Sequence, residues 1–184
     1  MPDLQPTCAL GAPKPKTARF GVLTVTENAN LALASVALRR DAGAPDLPLP
    51  GPGEWIEAED IAVFWIGPDQ WMVEGHGRAA DDFAHAIAHR ALGCSVTEQT
   101  DGFAAFEITS DAGAEPIRAL LEKLVNVEAH CFTAGQATRT GFHHMSVFVI
   151  RRADDRLAVL GMRSAAGTIW HALTETAGRL EVTA

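Results

Sequence analysis

The sequence lacks the short motifs by which nucleotide-binding and hydrolytic sites are usually recognised. It contains no G-x-G-x-x-G, no P-loop pattern and no G-x-S-x-G. A glycine fingerprint cradles the pyrophosphate of a dinucleotide, a P-loop wraps phosphates, and G-x-S-x-G presents a nucleophilic serine. The sequence therefore gives no support to a nucleotide-binding or serine-hydrolase function.

Long apolar runs and paired cysteines are also missing. No run approaches the roughly 20 apolar residues of a membrane span, and the polar, proline-containing N-terminus has no signal-peptide apolar region. Cys8, Cys94 and Cys131 are odd in number and far apart, and none forms a C-x-x-C pair. This pattern predicts reduced cysteines of a cytoplasmic protein, without a disulfide framework or a zinc site.

The charge is acidic and uneven. The formal net charge of −8 argues against nucleic-acid binding as the main task. Ten acidic residues and one basic residue, Arg78, lie between Asp41 and Asp82. The last third is arginine-rich, with Arg139, Arg151, Arg152, Arg156, Arg163 and Arg179. The acidic stretch is either a solvated loop face or a surface that selects a basic partner subunit.

A chain of 184 residues is long enough for one domain with a full core. Residues 1–30 carry four prolines and no periodicity, which predicts an N-terminal arm, either loose or ordered on a partner. Residues 31–184 are predicted to form a single α+β domain. It begins with a strand at Leu31–Arg39, followed by a proline-rich loop at Asp41–Gly53.

Local patterns predict the elements after this loop. Ile61–Ile66 and Trp71–Glu74 read as strands joined by the Gly67–Gln70 turn, and Arg78–Leu92 as a helix ended by Gly93. Strands Cys94–Thr100 and Phe103–Thr109 are predicted to form a hairpin with Asp101–Gly102 as its turn. A helix follows, with an apolar stripe of Ile117, Leu120, Leu121 and Leu124. The last predicted elements are strands Met145–Ile150 and Leu157–Met162 and a helix capped by Ser164 and ended by Gly178.

From Ile61 onward the predicted order is β-hairpin, α, β, β, α, β, then β, β, α. The middle of this order is a split βαββαβ (ferredoxin-like) unit, extended by a further ββα. The sequence therefore predicts an α+β fold with an antiparallel or mixed sheet and helices packed on it.

Few side chains suggest chemistry. His85 and His89 have the i, i+4 spacing of paired metal ligands, but without H-E-x-x-H or a third ligand they are interpreted as exposed helix histidines. His143 and His144 are adjacent and, on a strand, would face opposite sides. Asp101 and Glu98 could suggest acid–base chemistry, but a turn accounts for the aspartate at position 101 and the solvent face of a strand accounts for the glutamate at position 98. We predict no catalytic, cofactor-binding or metal-binding residue in this chain.

Four motifs, in this order, resemble one known family, the γ subunit of heterotetrameric sarcosine oxidase. They are Trp65-Ile-Gly-Pro-Asp-Gln-Trp-Met-Val73, Ser95-Val-Thr-Glu-Gln-Thr-Asp-Gly102, Ile117-Arg-Ala-Leu-Leu-Glu-Lys-Leu124 before a strand entry with Phe132, Gly135 and Thr140, and Arg163-Ser164 opening a helix with Trp170-His171. The first is similar to the family's "W-L-G-P-D-E-W-L-L", with Gln70 in place of Glu. The second is similar to its "S-V-T-D-Q-S-D-G".

The resemblance implies a fold related to the folate-binding T-protein of glycine cleavage. It also implies a non-catalytic γ subunit, with α, β and δ partners, of a cytoplasmic complex that oxidatively demethylates sarcosine or another N-methyl amine. With sarcosine, the reaction yields glycine, hydrogen peroxide, and formaldehyde or methylene-tetrahydrofolate. FAD, FMN, NAD and folate are expected in the α and β subunits and zinc in δ. This chain alone is expected to bind flavin, NAD and zinc no better than background.

An alternative is a stand-alone folate-dependent one-carbon transferase, or the related iron–sulfur assembly protein. The latter group carries K-G-C-Y-x-G-Q-E. The nearest match here, Cys131-Phe-Thr-Ala-Gly-Gln136, has one residue too many before its glycine. His130 stands in place of the motif's glycine and Ala137 in place of its glutamate. Those relatives also typically add a further domain. A third possibility is an interaction domain of some other complex.

Overall fold

The computed structural model describes residues 7–40 and 43–183. Two of the four prolines in the predicted arm, Pro2 and Pro6, lie outside this range, as does Asp41, the first residue of the predicted proline-rich loop. In the described chain no helix is long and apolar enough to cross a membrane.

Eleven strands and three α-helices form the described chain. The strands are β1 (Thr17–Phe20), β2 (Leu23–Glu27), β3 (Leu31–Leu38), β4 (Trp55–Ala58), β5 (Ile61–Gly67), β6 (Gln70–His76), β7 (Cys94–Glu98), β8 (Phe103–Ser110), β9 (Gln136–Phe142), β10 (Met145–Ala153) and β11 (Arg156–Met162). The helices are α1 (Phe83–Arg90), α2 (Ala114–Leu124) and α3 (Ala166–Thr183). The order from β5 onward is the order predicted from the sequence, and the α+β class is confirmed.

The strands form two antiparallel sheets. The larger has the order β1-β2-β8-β11-β10-β9 and the smaller the order β4-β5-β6-β3-β7. The smaller sheet is built from one continuous segment, residues 31–98, which leaves the larger sheet after β2 and returns to it at β8. Since β2 and β8 are neighbours, this segment is an insertion between two adjacent strands.

Apolar side chains on alternating positions bury both faces of each sheet. The layer between the sheets is a core cluster that includes Leu33, Phe64, Met72, Phe148 and Leu160. Helices α2 and α3 cover the outer face of the larger sheet, and α1 with part of the proline-rich loop covers that of the smaller. The fold is therefore two sheets face to face between two helical layers.

The predicted hairpin at Asp101–Gly102 is wrong. Strand β7 pairs with β3 in the smaller sheet, and β8 pairs with β2 and β11 in the larger one. The link between them is one 3₁₀ turn, Thr100–Gly102, and Gly102 has no positive φ. Asp-Gly supplies a turn but does not decide whether the strands around it pair. Here the turn carries the chain from one sheet to the other.

Residues 1–30 were predicted to form an arm, loose or ordered on a partner, but this segment contains β1 and β2 of the larger sheet. Leu23 and Val25 are buried in the core of the larger sheet. Residues before β1 are held by the buried carboxylate of Glu27, which accepts hydrogen bonds from the backbone N–H of Leu10 at 2.9 Å and of Lys16 at 3.2 Å. The described part of the predicted arm thus lies on the domain and contributes to its core.

The final helix differs from its prediction at both ends. It follows a 3₁₀ turn, Arg163–Ala165, in which Ser164 makes no capping bond. It continues through Gly178 to Thr183. The helix passes the Phe20 ring of β1 at Gly178, where a Cβ would stand 3.5 Å from the ring, an ordinary van der Waals distance. Glycine ends a helix where the backbone turns left-handed, and Gly178 is not among the residues with positive φ.

Candidate functional site

The layer between the two sheets opens at both ends. Its middle is apolar, but charged side chains line one end and an arginine with methionines lines the other. The charged opening, about 390 Å³, is called the Arg152 cleft and includes Trp55, Glu57, His76, Glu107 and Arg152. The second opening, about 550 Å³, is called the Arg139 cleft.

A buried ion network joins the two sheets at the Arg152 cleft. Glu74, on β6 of the smaller sheet, is fully buried. Arg152, on β10 of the larger sheet, donates to both Glu74 carboxylate oxygens at 2.9 Å each, and to both oxygens of Glu107 on β8 at 3.1 Å each. The indole N–H of Trp55 adds a bond to Glu74 at 2.8 Å. Such planar, bidentate pairing is the geometry for which a guanidinium is suited.

The charge of Arg152 is fixed by this environment. Burial alone would lower the pKa of Arg152, but Glu74 and then Glu107 outweigh it and raise the pKa above its ordinary value. The amide of Asn28 also donates to Glu107 at 3.3 Å. Because each carboxylate accepts two charge-assisted bonds from Arg152 and one bond from a neutral donor, the network is suited to holding the sheets together.

Sequence reasoning missed this network. Its three charged members, Glu74, Glu107 and Arg152, are far apart in the chain, so no local spacing brings them together. One signal was present. Glu74 lies two residues after Met72 on a strand, and therefore shares the face that Met72 places in the core. A charged residue on a core face needs a buried partner.

The Arg139 cleft is lined mainly by apolar side chains. They are Ile66, Met72, Phe103, Met145, Phe148 and Met162. Arg139 stands at its edge, where its Nε donates to Ser146 Oγ at 2.8 Å and its guanidinium carbon is 5.8 Å from the Phe148 ring centre. Within the described chain no aspartate or glutamate lines this cleft. The cleft therefore combines an apolar wall with one guanidinium.

The side chains that the sequence singled out lie on different parts of the fold. Asp101 is almost fully exposed, and its carboxylate lies 3.8 Å from Arg163. His143 and His144 occupy the β9–β10 turn rather than a strand, and His143 has a φ of 52°. His85 and His89 lie on exposed positions of α1, as predicted. Among the described residues no group of three or more His, Cys, Asp or Glu could hold a metal ion.

Glu98 has a local structural task. Its carboxylate accepts bonds from the backbone N–H of Ala84, Gln99 and Thr100 and from the Thr100 hydroxyl. Burial would raise the pKa of Glu98, but these bonds, led by that of the Thr100 hydroxyl, lower it below its ordinary value. The sequence assigned Glu98 to a solvent face, which agrees with its exposure but missed its role at the start of α1.

We expect Glu98→Gln to lower the free energy of unfolding at pH 7 by about 1 kcal/mol, as the loss of a helix-capping acceptor does. A carboxyl with a lowered folded-state pKa stabilises the fold above its unfolded pKa and loses that contribution as the pH falls. The difference from wild type should therefore shrink below about pH 4. Urea titrations at pH 7 and pH 3.5 measure it. Glu122→Gln, at an exposed position, is the control, and an equal loss there contradicts the capping role.

The acidic stretch is partly neutralised within the chain. Asp60 lies 3.3 Å from Arg78 and 3.2 Å from Arg90, and Arg78 also pairs with Asp81 at 3.0 Å. The acidic stretch therefore has internal partners for part of its charge, which favours its interpretation as a solvated face. As exposed ion pairs, these contacts contribute little to stability. Glu57 and Glu59 remain on the exposed surface around β4.

Comparisons with known proteins identify the fold. No protein-family model matches the sequence, and no curated protein matches it. The structure is similar to a chain of the heterotetrameric sarcosine oxidase from Corynebacterium sp. U-96 in complex with pyrrole 2-carboxylate. The identity is 17% and the TM-score 0.73, over 90% of this chain and 89% of that chain.

The structure is also similar to the glycine cleavage system aminomethyltransferase T from Bartonella henselae, at 12% identity and a TM-score of 0.57. That alignment covers 80% of this chain and 44% of the aminomethyltransferase chain. The T-protein-like fold predicted from the sequence is therefore confirmed.

Proposed function

We propose that this chain is the non-catalytic γ subunit of a heterotetrameric sarcosine oxidase-type complex. The observation that carries the proposal is the similarity to a chain of such an oxidase over nine-tenths of both chains. Since these shares are almost equal, the two chains have nearly the same length. The resemblance of four ordered sequence motifs to the γ subunit supports the same assignment.

The internal chemistry of the domain is consistent with an assembly role. The fully buried Glu74 and the partly buried Arg152 bond to each other and to neighbouring side chains between the sheets. We propose that FAD, FMN, NAD and folate are held by α and β partner subunits, and that the reaction oxidises sarcosine or another N-methyl amine in the cytoplasm. This chain then contributes folded surface to the complex.

A stand-alone one-carbon transferase of the T-protein type is the second candidate, favoured by the similarity to aminomethyltransferase T. It is the weaker one, because the chain spans less than half of that protein's length. The iron–sulfur assembly alternative depends on the segment around Cys131, which is exposed and follows a turn rather than entering a cleft.

Single substitutions at the polar residues singled out by the sequence are expected to leave catalysis almost intact. We expect Asp101→Ala, His143→Ala and His144→Ala each to keep turnover within a few-fold, whereas loss of a general acid or base costs about 10²–10⁴. The measurement is co-expression with the α, β and δ subunits, followed by complex yield and turnover per assembled flavin.

The outcomes separate the proposals. Failure of the wild-type chain to enter a complex with those three subunits contradicts the assembly role. A variant that assembles with normal yield but loses turnover by the larger factor shows that the subunit is catalytic. A wild-type chain that alone transfers a one-carbon unit to tetrahydrofolate supports the second candidate instead.

A further inference from the structure

Two histidines on α1 point their ring nitrogens at each other. His85 and His89 are one helical turn apart and both are exposed. Their Nε2 atoms are 3.2 Å apart, with the ring centres separated by 4.7 Å and the ring planes at 89°. Side chains at i and i+4 share a helix face, but this mutual orientation of the Nε2 atoms is an additional feature.

The separation of the two Nε2 atoms suits the binding of both to one metal ion. Imidazole nitrogens bind Zn²⁺ at about 2.0–2.1 Å. An ion at that distance from two atoms 3.2 Å apart makes an N–metal–N angle of about 100–106°. This value is close to the tetrahedral angle that zinc prefers in proteins. The Nε2–Nε2 separation is therefore short enough for both rings to bind one ion.

We propose that His85 and His89 form a bidentate site for a divalent transition-metal ion of the zinc class. The i, i+4 spacing alone did not assign these residues a ligand role, because no H-E-x-x-H pattern or third ligand accompanies it. Within the described chain no third His, Cys, Asp or Glu completes the set. The remaining coordination positions face solvent, so the ion exchanges freely and keeps open positions for water or for a ligand from another molecule.

The helix that carries the pair is held firmly. Phe83 and Ile87, on the opposite face, are buried against the smaller sheet. The carboxylate of Asp82 caps the helix by accepting the backbone N–H of His85 at 3.2 Å. A fixed backbone keeps the two imidazoles at chelating distance, which limits the entropy lost when an ion binds.

Nearby charge does not oppose a cation. Asp81 and Asp82 directly precede the helix, four and three residues before His85. The closest cation along the chain, Arg90, is paired with Asp60 at 3.2 Å. The site follows the acidic stretch between Asp41 and Asp82, which raises the local concentration of cations.

Binding requires a shift of tautomer but no net release of protons from two neutral rings. In the metal-free chain one Nε2–H donates to the other Nε2, whose lone pair accepts. An ion needs both Nε2 lone pairs, so the donor ring must carry its proton on Nδ1 instead. The hydrogen bond between the rings is then replaced by two metal–nitrogen bonds.

Calorimetric titration of the untagged chain with Zn²⁺ alone tests the proposal. We expect one ion per chain, and a loss of affinity of at least tenfold in His85→Ala and in His89→Ala, since each leaves a monodentate site. The matched control is the double variant His143→Ala and His144→Ala, which removes two exposed histidines from a turn. It should bind Zn²⁺ as the wild type does. Cu²⁺ is expected to bind more tightly than Zn²⁺ at the same site.

A second readout separates coordination from indirect effects. The imidazole nitrogen resonances of His85 and His89 should shift on addition of Zn²⁺, with those of His143 and His144 unchanged. The proposal is overturned if the wild type shows no saturable binding, or if both single variants stay within about threefold of it. None of these measurements involves a partner subunit, so their result is independent of the proposed function.

Discussion

Replacing Glu74 by alanine is expected to lower the free energy of unfolding by about 3–5 kcal/mol, the usual cost of removing one partner from a buried ion pair. The carboxylate is fully buried and accepts two bonds from Arg152 at 2.9 Å and one from Trp55 at 2.8 Å. Without it, a buried guanidinium loses two of its four bonds to carboxylates and an indole N–H loses its acceptor. Urea denaturation followed by tryptophan fluorescence and by circular dichroism measures the change.

Two further variants show whether the cost comes from the unpaired charge. Glu57→Ala removes an exposed carboxylate from the same cleft and should cost less than about 0.5 kcal/mol. The double variant Glu74→Met and Arg152→Met should be more stable than Glu74→Ala, because it leaves no uncompensated buried cation. A cost below about 1 kcal/mol for Glu74→Ala contradicts a stabilising role for the network.

Replacing Leu121 by alanine is expected to cost about 2–5 kcal/mol, the range for a leucine-to-alanine cavity in a core. Leu121 is on α2, is 1% exposed, and belongs to the same core cluster as Phe106 on the larger sheet. The helix has few other ways to fill the space, because Ile117 and Leu120 already occupy the adjacent positions of its buried face. Chemical denaturation of both proteins gives the difference.

Lys123→Ala is the matched control for Leu121→Ala. Lys123 lies on the same helix but on an exposed position, and alanine is the better helix former. Its substitution should change the free energy of unfolding by less than about 0.5 kcal/mol. Similar losses at Leu121 and Lys123 would show that α2 presents a different face to the sheet.

Local signals explain which elements could be predicted. The β5–β6 hairpin follows from Pro68 and Asp69 in its turn, and Asp69 has a φ of 56°. Helix α2 follows from an apolar stripe in which Ile117, Leu120 and Leu121 are buried. Both depend on residues within a few positions of each other, which is the range over which a single sequence carries information.

The missed features depend on contacts between distant segments. Leu23 and Val25 alternate with two threonines, a period-two pattern typical of a strand, but the prolines before them suggested an arm. The strands around Asp101 read as partners because they are adjacent in sequence, yet their partners lie in different sheets. The Glu74–Arg152 network joins residues that no spacing rule connects.

The insertion of the smaller sheet between β2 and β8 has a consequence for synthesis on the ribosome. Every strand of that sheet has been made once residue 98 is added, whereas the larger sheet cannot be completed before β11 ends at Met162. Domains fold as their chain emerges, N-terminal parts first. During that interval the inner face of the smaller sheet, with Leu33 and Phe64, has no covering layer. Until the second half of the chain arrives, these apolar positions are therefore exposed in the nascent chain, and exposed apolar surface of this kind favours aggregation.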